Sequence, residues 1–226
     1  MAFPGPIKLT YFGIEGVAER VRLALVLGGV DFEDDRVDFK DWPALKPTTK
    51  YGTLPQMKIG DAEPCAQSGA MLRYVGQVAG LYPTEQILKI EEAIGIEEDL
   101  GRAVMPSMYM GMRPHIFGYP EDMPQEQRAE IQMKLRTKLV EEDGDIPRIL
   151  GYLEKFIGDS QFMCGETVTI ADCQVIVRLR HLTKGVLDGV PTTIIDGFPK
   201  LKAYFARFHD LPQVKAYYEK LAAAAK

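Results

Sequence analysis

Residues 52–75, GTLPQMKIGDAEPCAQSGAMLRYV, decide the fold of the chain. They read as a strand, a tight turn, a second strand, and then a helix that opens on Gln67-Ser68. Leu54-Pro55 stands just before the first strand. Proline has no N–H to give a sheet, so Pro55 marks where that strand starts and is a candidate for a cis bond. Ser68 stands at a helix cap, where the first backbone N–H groups have no partner. Those N–H groups and the positive end of the helix dipole make a site for an anion such as a carboxylate. The segment therefore offers an exposed peptide edge close to an anion pocket, a layout that suits a small peptide carrying a carboxylate.

Upstream, Ile7, Leu9 and Tyr11 alternate with other side chains in a strand pattern. Residues 13–16 form a loop. A helix follows over about 17–27, with Leu23, Val26, Leu27 and Val30 at i, i+3, i+4, i+7 spacing, and Gly28-Gly29 end it. Residues 32–37 give the next strand, so a right-handed βαβ crossover is expected. Pro43 and Pro47 limit any helix in 38–51. The helix after Ser68 is expected to bury Met71, Val75, Val78 and Ala79. This order, βαβ then ββα, is that of a thioredoxin-like domain ending near Pro83.

Beyond Thr84 no strand pattern of similar strength occurs. Residues 87–112 read as one long helix, with Pro106 a point of interruption. Residues 113–124 are a loop with three prolines, and about 125–142 a second long helix. Ile146, Ile149, Leu150, Leu153, Phe156 and Ile157 make an apolar helical stripe. Residues 170–181 are apolar nearly all round, as in the buried centre of a bundle. Two more stripes follow, Leu201-Tyr204-Phe205-Phe208 and Val214-Tyr217-Tyr218-Leu221, and the last alanines are expected to fray. The expectation is an all-helical second domain over 84–226.

A net charge of −5 leaves no basic footprint for nucleic acid. No apolar run approaches the roughly 18 residues of a membrane span, and the N-terminus lacks a basic stretch followed by a long apolar one, so no signal peptide is expected. Three widely spaced cysteines without C-x-x-C argue against a disulfide scaffold and for a reducing compartment. The three histidines share no ligand spacing and no metal is predicted. Neither a phosphate loop nor G-x-G-x-x-G occurs.

LTYF at 9–12, DWPALK at 41–46, LP at 54–55, QS at 67–68 and the capping box TIAD at 169–172 occur in an order and spacing that resembles the cytosolic glutathione transferases, tyrosine type, sigma-like and related to the mu, pi and alpha classes. The resemblance covers essentially the whole chain. It implies glutathione as co-substrate with no bound cofactor, an electrophilic hydrophobic second substrate, a homodimer and a cytoplasmic location. By resemblance, Tyr11 stabilises the glutathione thiolate. Trp42 and Lys46 hold the glycyl carboxylate, Leu54 and Pro55 pair with the cysteinyl backbone, and Gln67 and Ser68 hold the γ-glutamyl end. Glu91 stands where the family often has an Asp that reaches the γ-glutamyl amine across a dimer interface. Phe12, Met105, Met108, Tyr109 and Met112 are expected to line the electrophile pocket, since methionine suits apolar ligands of varied shape. One departure is Val17, where the sigma-like pattern has an arginine; Arg20 lies one turn later. A non-catalytic ligand carrier and a glutathione-dependent isomerase or peroxidase acting on lipids are the other readings. With Tyr11 at the position in question, a cysteine-type thiol transferase is disfavoured.

Overall fold

The computed structural model describes residues 3–224. Strand β1 (Ile7–Phe12) runs into a loop and a 3-10 turn (Gly16–Ala18), then helix α1 (Glu19–Leu27) and strand β2 (Phe32–Val37). β1 and β2 are parallel, with Ile7 opposite Phe32 and Tyr11 opposite Arg36, so α1 is the crossover of a βαβ unit. Along β1 burial alternates: Ile7, Leu9 and Tyr11 face the core, and Lys8, Thr10 and Phe12 the other side. Residues 38–51 are less irregular than the two prolines suggest. They hold a single turn of helix, α2 (Trp42–Leu45), and two 3-10 turns. Pro43 sits at the start of α2, where a missing N–H costs nothing.

Strands β3 (Gln56–Ile59) and β4 (Cys65–Ala66) complete a mixed sheet in the order β2-β1-β3-β4, with β3 antiparallel to both neighbours. Helix α3 (Ser68–Ala79) follows, and Gly80 closes it in the left-handed conformation. Met71, Leu72, Val75 and Gly76 are its buried residues; Val78 and Ala79 are only half-buried. The inward face is thus shifted by about one residue from the expectation.

The rest is helical: α4 (Ile87–Met112), α5 (Gln125–Val140), α6 (Asp145–Ile157), α7 (Ile170–Thr183), α8 (Pro199–His209) and α9 (Pro212–Ala224). α4 continues through Pro106. α9 extends through the alanines to Ala224; the fraying expected of the last alanines falls partly on Ala225, outside the described residues. Among the described residues no helix is long and apolar enough to cross a membrane.

One apolar core joins the two halves, from Leu9 and Met71 to Leu150, Ile170 and Tyr204. α7 lies at its centre, buried nearly all round, against α1, α3, α4 and α8. Its capping box is formed: the Thr169 N–H donates to Asp172 Oδ2 at 2.8 Å. Asp172 Oδ1 also accepts from the Met163 N–H at 2.8 Å, which ties the preceding loop to the helix start. Where α3 meets α7, Gly76 leaves no room for a side chain: a Cβ there would sit 2.3 Å from Ile170 Cγ2.

Candidate active site

Tyr11 ends the core-facing row of β1 and is 8% exposed. Its hydroxyl lies against the 3-10 turn that follows. A Cβ on Gly16 would be 2.5 Å from Tyr11 Oη, and Gly16 has φ +44°, so glycine is required there twice over. The backbone of Val17, in the same turn, lies near the phenol. Burial raises the Tyr11 pKa above its ordinary value, and the opposing effects of the Val17 N–H, Arg22 and Arg20 are smaller. Tyr11 is therefore a neutral phenol near pH 7, with a proton to donate.

The loop that carries this geometry is pinned from beneath by Arg22, a fully buried arginine. Its guanidinium lies 5.8 Å from the centre of the Tyr11 ring. It donates to Ile14 O at 2.9 Å and Phe12 O at 3.4 Å, and its charge is matched by Asp34 at 2.8 Å and Glu19 at 3.1 Å. From the helical half, Glu15 accepts from Arg180 at 2.7 Å and from Lys184. The tip of the loop is thus fastened to α7.

Trp42 opens α2 half-buried, edge-on to Phe12 with ring centres 5.5 Å apart, and Phe12 stacks on Phe39 at 4.5 Å. Tyr11, Phe12, Phe39 and Trp42 form one aromatic group at the end of β1. Phe39 is 62% exposed, and no signal beyond its being aromatic pointed to it. Lys46 is exposed, and among the described residues its ammonium is in no ion pair.

Across the sheet the Leu54-Pro55 bond is cis. By the register of β3 and β4, Leu54 lies beyond the last β4 pair, and among the described residues its N–H and C=O have no backbone partner. Ser68 is not the helix cap expected of it. The cap is Gln67, and Ser68 is the first helical residue, with no side-chain capping bond. The reason is the backbone of Gln67: φ 83°, ψ 99°, a conformation few residues with a side chain adopt. The Gln67 carbonyl takes the N–H groups of Ala70 and Met71, at 3.0 and 3.1 Å. Among the described residues the N–H groups of Ser68 and Gly69 are left without backbone partners, and the Ser68 hydroxyl stands beside them. Free N–H groups at a helix end are of the kind that suits an anion.

Two family models match the chain: the N-terminal domain of glutathione S-transferase over residues 7–77, and the C-terminal domain over residues 118–221. A protein from Ascaris suum named glutathione S-transferase 1 is 32% identical over 215 residues, spanning 93% of this chain and 94% of that protein. The chain belongs to the glutathione S-transferase family. Among solved structures, the glutathione S-transferase of Ascaris lumbricoides superposes with a TM-score of 0.72 at 30% identity, covering 95% of this chain and 97% of that one. A prostaglandin synthase D of Nilaparvata lugens superposes with a TM-score of 0.76 at 28% identity, covering 95% and 98%.

In this glutathione S-transferase Glu91 is occupied within its own chain. Arg73 donates to both carboxylate oxygens, at 2.9 and 2.5 Å, and the Tyr82 hydroxyl to one of them at 2.7 Å. Arg73 and Tyr82 hold its pKa below the usual carboxylate range, with the arginine the larger cause. Within the chain Glu91 and Arg73 thus make a fork-to-fork pair between α4 and α3. On the far part of α4, Met105, Met108 and Tyr109 are half-buried and Met112 is 60% exposed. They share one face at i, i+3, i+4, i+7, and Arg113 stands 5.7 Å over the Tyr109 ring. The rings on Phe12 are those of Tyr11, Phe39 and Trp42, while Met108 packs on the buried core.

Gly16, Arg22, Glu15 and Phe39 went unmarked in the sequence. Glycine before a helix is an ordinary loop signal, and buried arginines are not visible in a helical pattern whose apolar positions lie elsewhere. The three thiols, Cys65, Cys164 and Cys173, are free. Among the described residues no three His, Cys, Asp or Glu side chains converge.

Proposed function

We propose that this glutathione S-transferase joins the thiolate sulfur of glutathione to electrophilic, largely apolar small molecules, with Tyr11 as the hydrogen-bond donor to that thiolate. The observation that carries the reading is the phenol of Tyr11, nearly buried at the end of β1 against the Gly16 turn, with a proton to donate. A thiol of pKa near 8.5 is only about 3% ionised at pH 7. Lowering that pKa by about two units takes roughly 2.7 kcal/mol, and one hydrogen bond to a charged group supplies about 1.5–3. One phenol beside a helix N-terminus is of the right size without any metal. The sulfur then attacks the electrophile; a C–S bond forms as a leaving group departs, or as a polarised double bond takes the electron pair and later a proton.

The tripeptide lies along the free edge at Leu54 and Pro55, with its γ-glutamyl carboxylate on the N–H groups and hydroxyl of Ser68 and beside Gln67. Its glycyl carboxylate meets the Lys46 ammonium and the Trp42 indole N–H. Residues 1–83 form the glutathione-binding domain and 84–226 the helical domain. The electrophile sits between Phe12 and the α4 face of Met105, Met108, Tyr109 and Met112. The protein works as a homodimer in the cytoplasm, where free thiols persist. A second reading, glutathione-dependent isomerisation of a lipid, is favoured by the likeness to the Nilaparvata lugens prostaglandin synthase D.

The test is the ultraviolet absorbance of the thiolate of bound glutathione against pH, in wild type and Tyr11→Phe. The expected result is a bound pKa well below that of free glutathione, rising by about 1–2 units in the variant. Binding with an unshifted thiol in both proteins would leave a carrier, and no binding would remove glutathione from the reading.

A further inference from the structure

α7 is the buried centre of the bundle, yet one of its faces is polar. Gln174, Arg178 and His181 stand at i, i+4 and i+7 and form a row along the helix. Exposure grows along that row: Gln174 is 4% exposed, the Arg178 side chain 15%, and His181 is half-buried. At the closed end the polar groups satisfy one another. Gln174 accepts from Arg20 and donates to Glu97, and Arg178 Nε donates to the other Glu97 oxygen at 2.7 Å. At the open end they do not. Among the described residues, Arg178 has only that one hydrogen bond from its guanidinium, and the His181 ring has none. Arg136 approaches this end from α5. It is 7% exposed, and among the described residues no carboxylate stands within ion-pair distance of it. Its Nε reaches Ser107 Oγ at 3.4 Å and its Nη1 the Asp188 carbonyl at 3.3 Å, both neutral acceptors at long range. The Asp188 carboxylate acts on it from farther off. Burial first, then the charges of Arg178 and Arg136, push the His181 pKa down to about 4, so the ring is neutral at pH 7 with one N–H to give. Glu15, in the loop after Tyr11, acts on the same ring in the opposite sense, so the cluster stands within reach of that loop.

We propose that Arg136, Arg178 and His181 bind a carboxylate of the second substrate, so that the preferred electrophile is an apolar chain with a carboxylate at one end and the reacting carbon at the other. The inference rests on conjugation taking place along the α4 face. A guanidinium taken out of water without a carboxylate is costly, and donors left unfilled at one spot are completed by the two oxygens of a carboxylate. The neighbouring surface is apolar. Gly101 of α4 lies under Arg178, where a Cβ would be 2.6 Å from Nη2, so glycine admits the guanidinium. Met105, Met108 and Met112 follow Gly101 on that face at i+4, i+7 and i+11. The methionine wall thus begins where the α7 row offers its cations. With an enal as the electrophile, the thiolate forms a C–S bond at the β-carbon and the C=C pair moves onto the carbonyl as an enolate. The α-carbon then takes a proton through water, in place of the one the thiol gave up. The carboxylate stays ionised throughout.

The experiment compares kcat/KM for a straight-chain enal that ends in a carboxylate with kcat/KM for its methyl ester, in wild type, Arg136→Met, Arg136→Lys and His181→Leu. The two substrates share one reacting group, so the ratio reads the carboxylate alone. Wild type is expected to favour the acid by about tenfold or more, as one charge-assisted hydrogen bond provides. The ratio falls toward one in Arg136→Met and His181→Leu, chiefly through the KM of the acid, and Arg136→Lys keeps part of it. Arg136→Met strands no ion-paired carboxylate, and His181→Leu is the second variant should it not fold. A purely structural role would slow acid and ester alike and leave the ratio at its wild-type value, which overturns the inference. A wild-type enzyme that takes both substrates equally also overturns it. So does a preference that survives in both neutral variants, as it would if the exposed Arg113 held the carboxylate instead. Calorimetry with decanoate, an unreactive carboxylate, on the glutathione-loaded protein separates this inference from the conjugation reading. If neither enal is conjugated but decanoate binds wild type and not Arg136→Met, the conjugation reading fails and the carboxylate site stands. If both enals are conjugated equally and decanoate does not bind, the inference alone fails. With neither conjugation nor binding, both fail.

Discussion

Gly16→Ala tests the site without removing any functional group. The added methyl would lie 2.5 Å from Tyr11 Oη, 2.9 Å from Cε1 and 3.1 Å from Cζ. Carbon contacts relax near 3.5–4.0 Å, so the ring has to give by about 1 Å. Its other side is walled by the buried core, and its backbone is fixed in β1 between β2 and β3. The φ of +44° adds roughly 1–2 kcal/mol for any residue with a side chain. The hydroxyl therefore moves off the line on which it meets the sulfur. Losing most of a charge-assisted hydrogen bond of about 1.5–3 kcal/mol lowers kcat/KM by about 10- to 150-fold near neutral pH. KM for glutathione changes little, because Leu54, Gln67 and Ser68 are untouched. Gly13→Ala is the control: a Cβ there meets nothing within 4 Å. Steady-state conjugation of a nitroaryl halide against pH, with the bound-thiol titration beside it, reads the effect. A Gly16→Ala enzyme with the wild-type profile and thiol pKa would show that the position of the phenol does not control the reaction.

Gly76→Ala sets a methyl 2.3 Å from Ile170 Cγ2, where α3 meets the central helix of the other half. It is expected to cost about 1–3 kcal/mol in denaturant unfolding, as overpacking does. Gln67→Gly releases the φ 83°, ψ 99° backbone, so stability is expected to hold or rise while KM for glutathione rises; a loss of stability would count against strain at this residue. Burial pushes the Asp172 carboxyl up to about 6 against the hydrogen bonds it accepts from Met163 and Thr169. Its folded pKa lies above the unfolded value of 3.8, so this group's contribution is full below about pH 4 and is lost as pH rises through 6. The stability of wild type relative to Asp172→Asn is thus expected to grow on going from pH 7 to 4, by about 1–3 kcal/mol in urea titrations; a gap that narrows on acidification would refute the assignment.

Period and punctuation made most of the architecture legible. Alternation in Ile7-Leu9-Tyr11 gave both the strand and the face to which Tyr11 belongs, because a two-residue repeat leaves no other choice. The stripe from Ile146 to Ile157 and the all-round apolar run of residues 170–181 became α6 and the central α7 for the same reason, at a repeat of 3.6. The capping box could be read because both of its bonds lie within four residues. What is local in the chain is legible in the chain. Ser68 shows the limit even at short range: the cap is Gln67, at φ 83° and ψ 99°, directly after a strand paired with Gln56 and Met57. The longer-range features belonged to the tertiary structure alone. The closeness of Gly16 to Tyr11 Oη, the grip of Arg73 on Glu91 and the contact of Arg20 with Gln174 all depend on which side chains arrive from other elements. Arg20 and Arg22 differ by two positions on one helix and look alike in sequence. Only packing decided that one would face Asp34 and Glu19 and the other an amide on a helix 154 positions away.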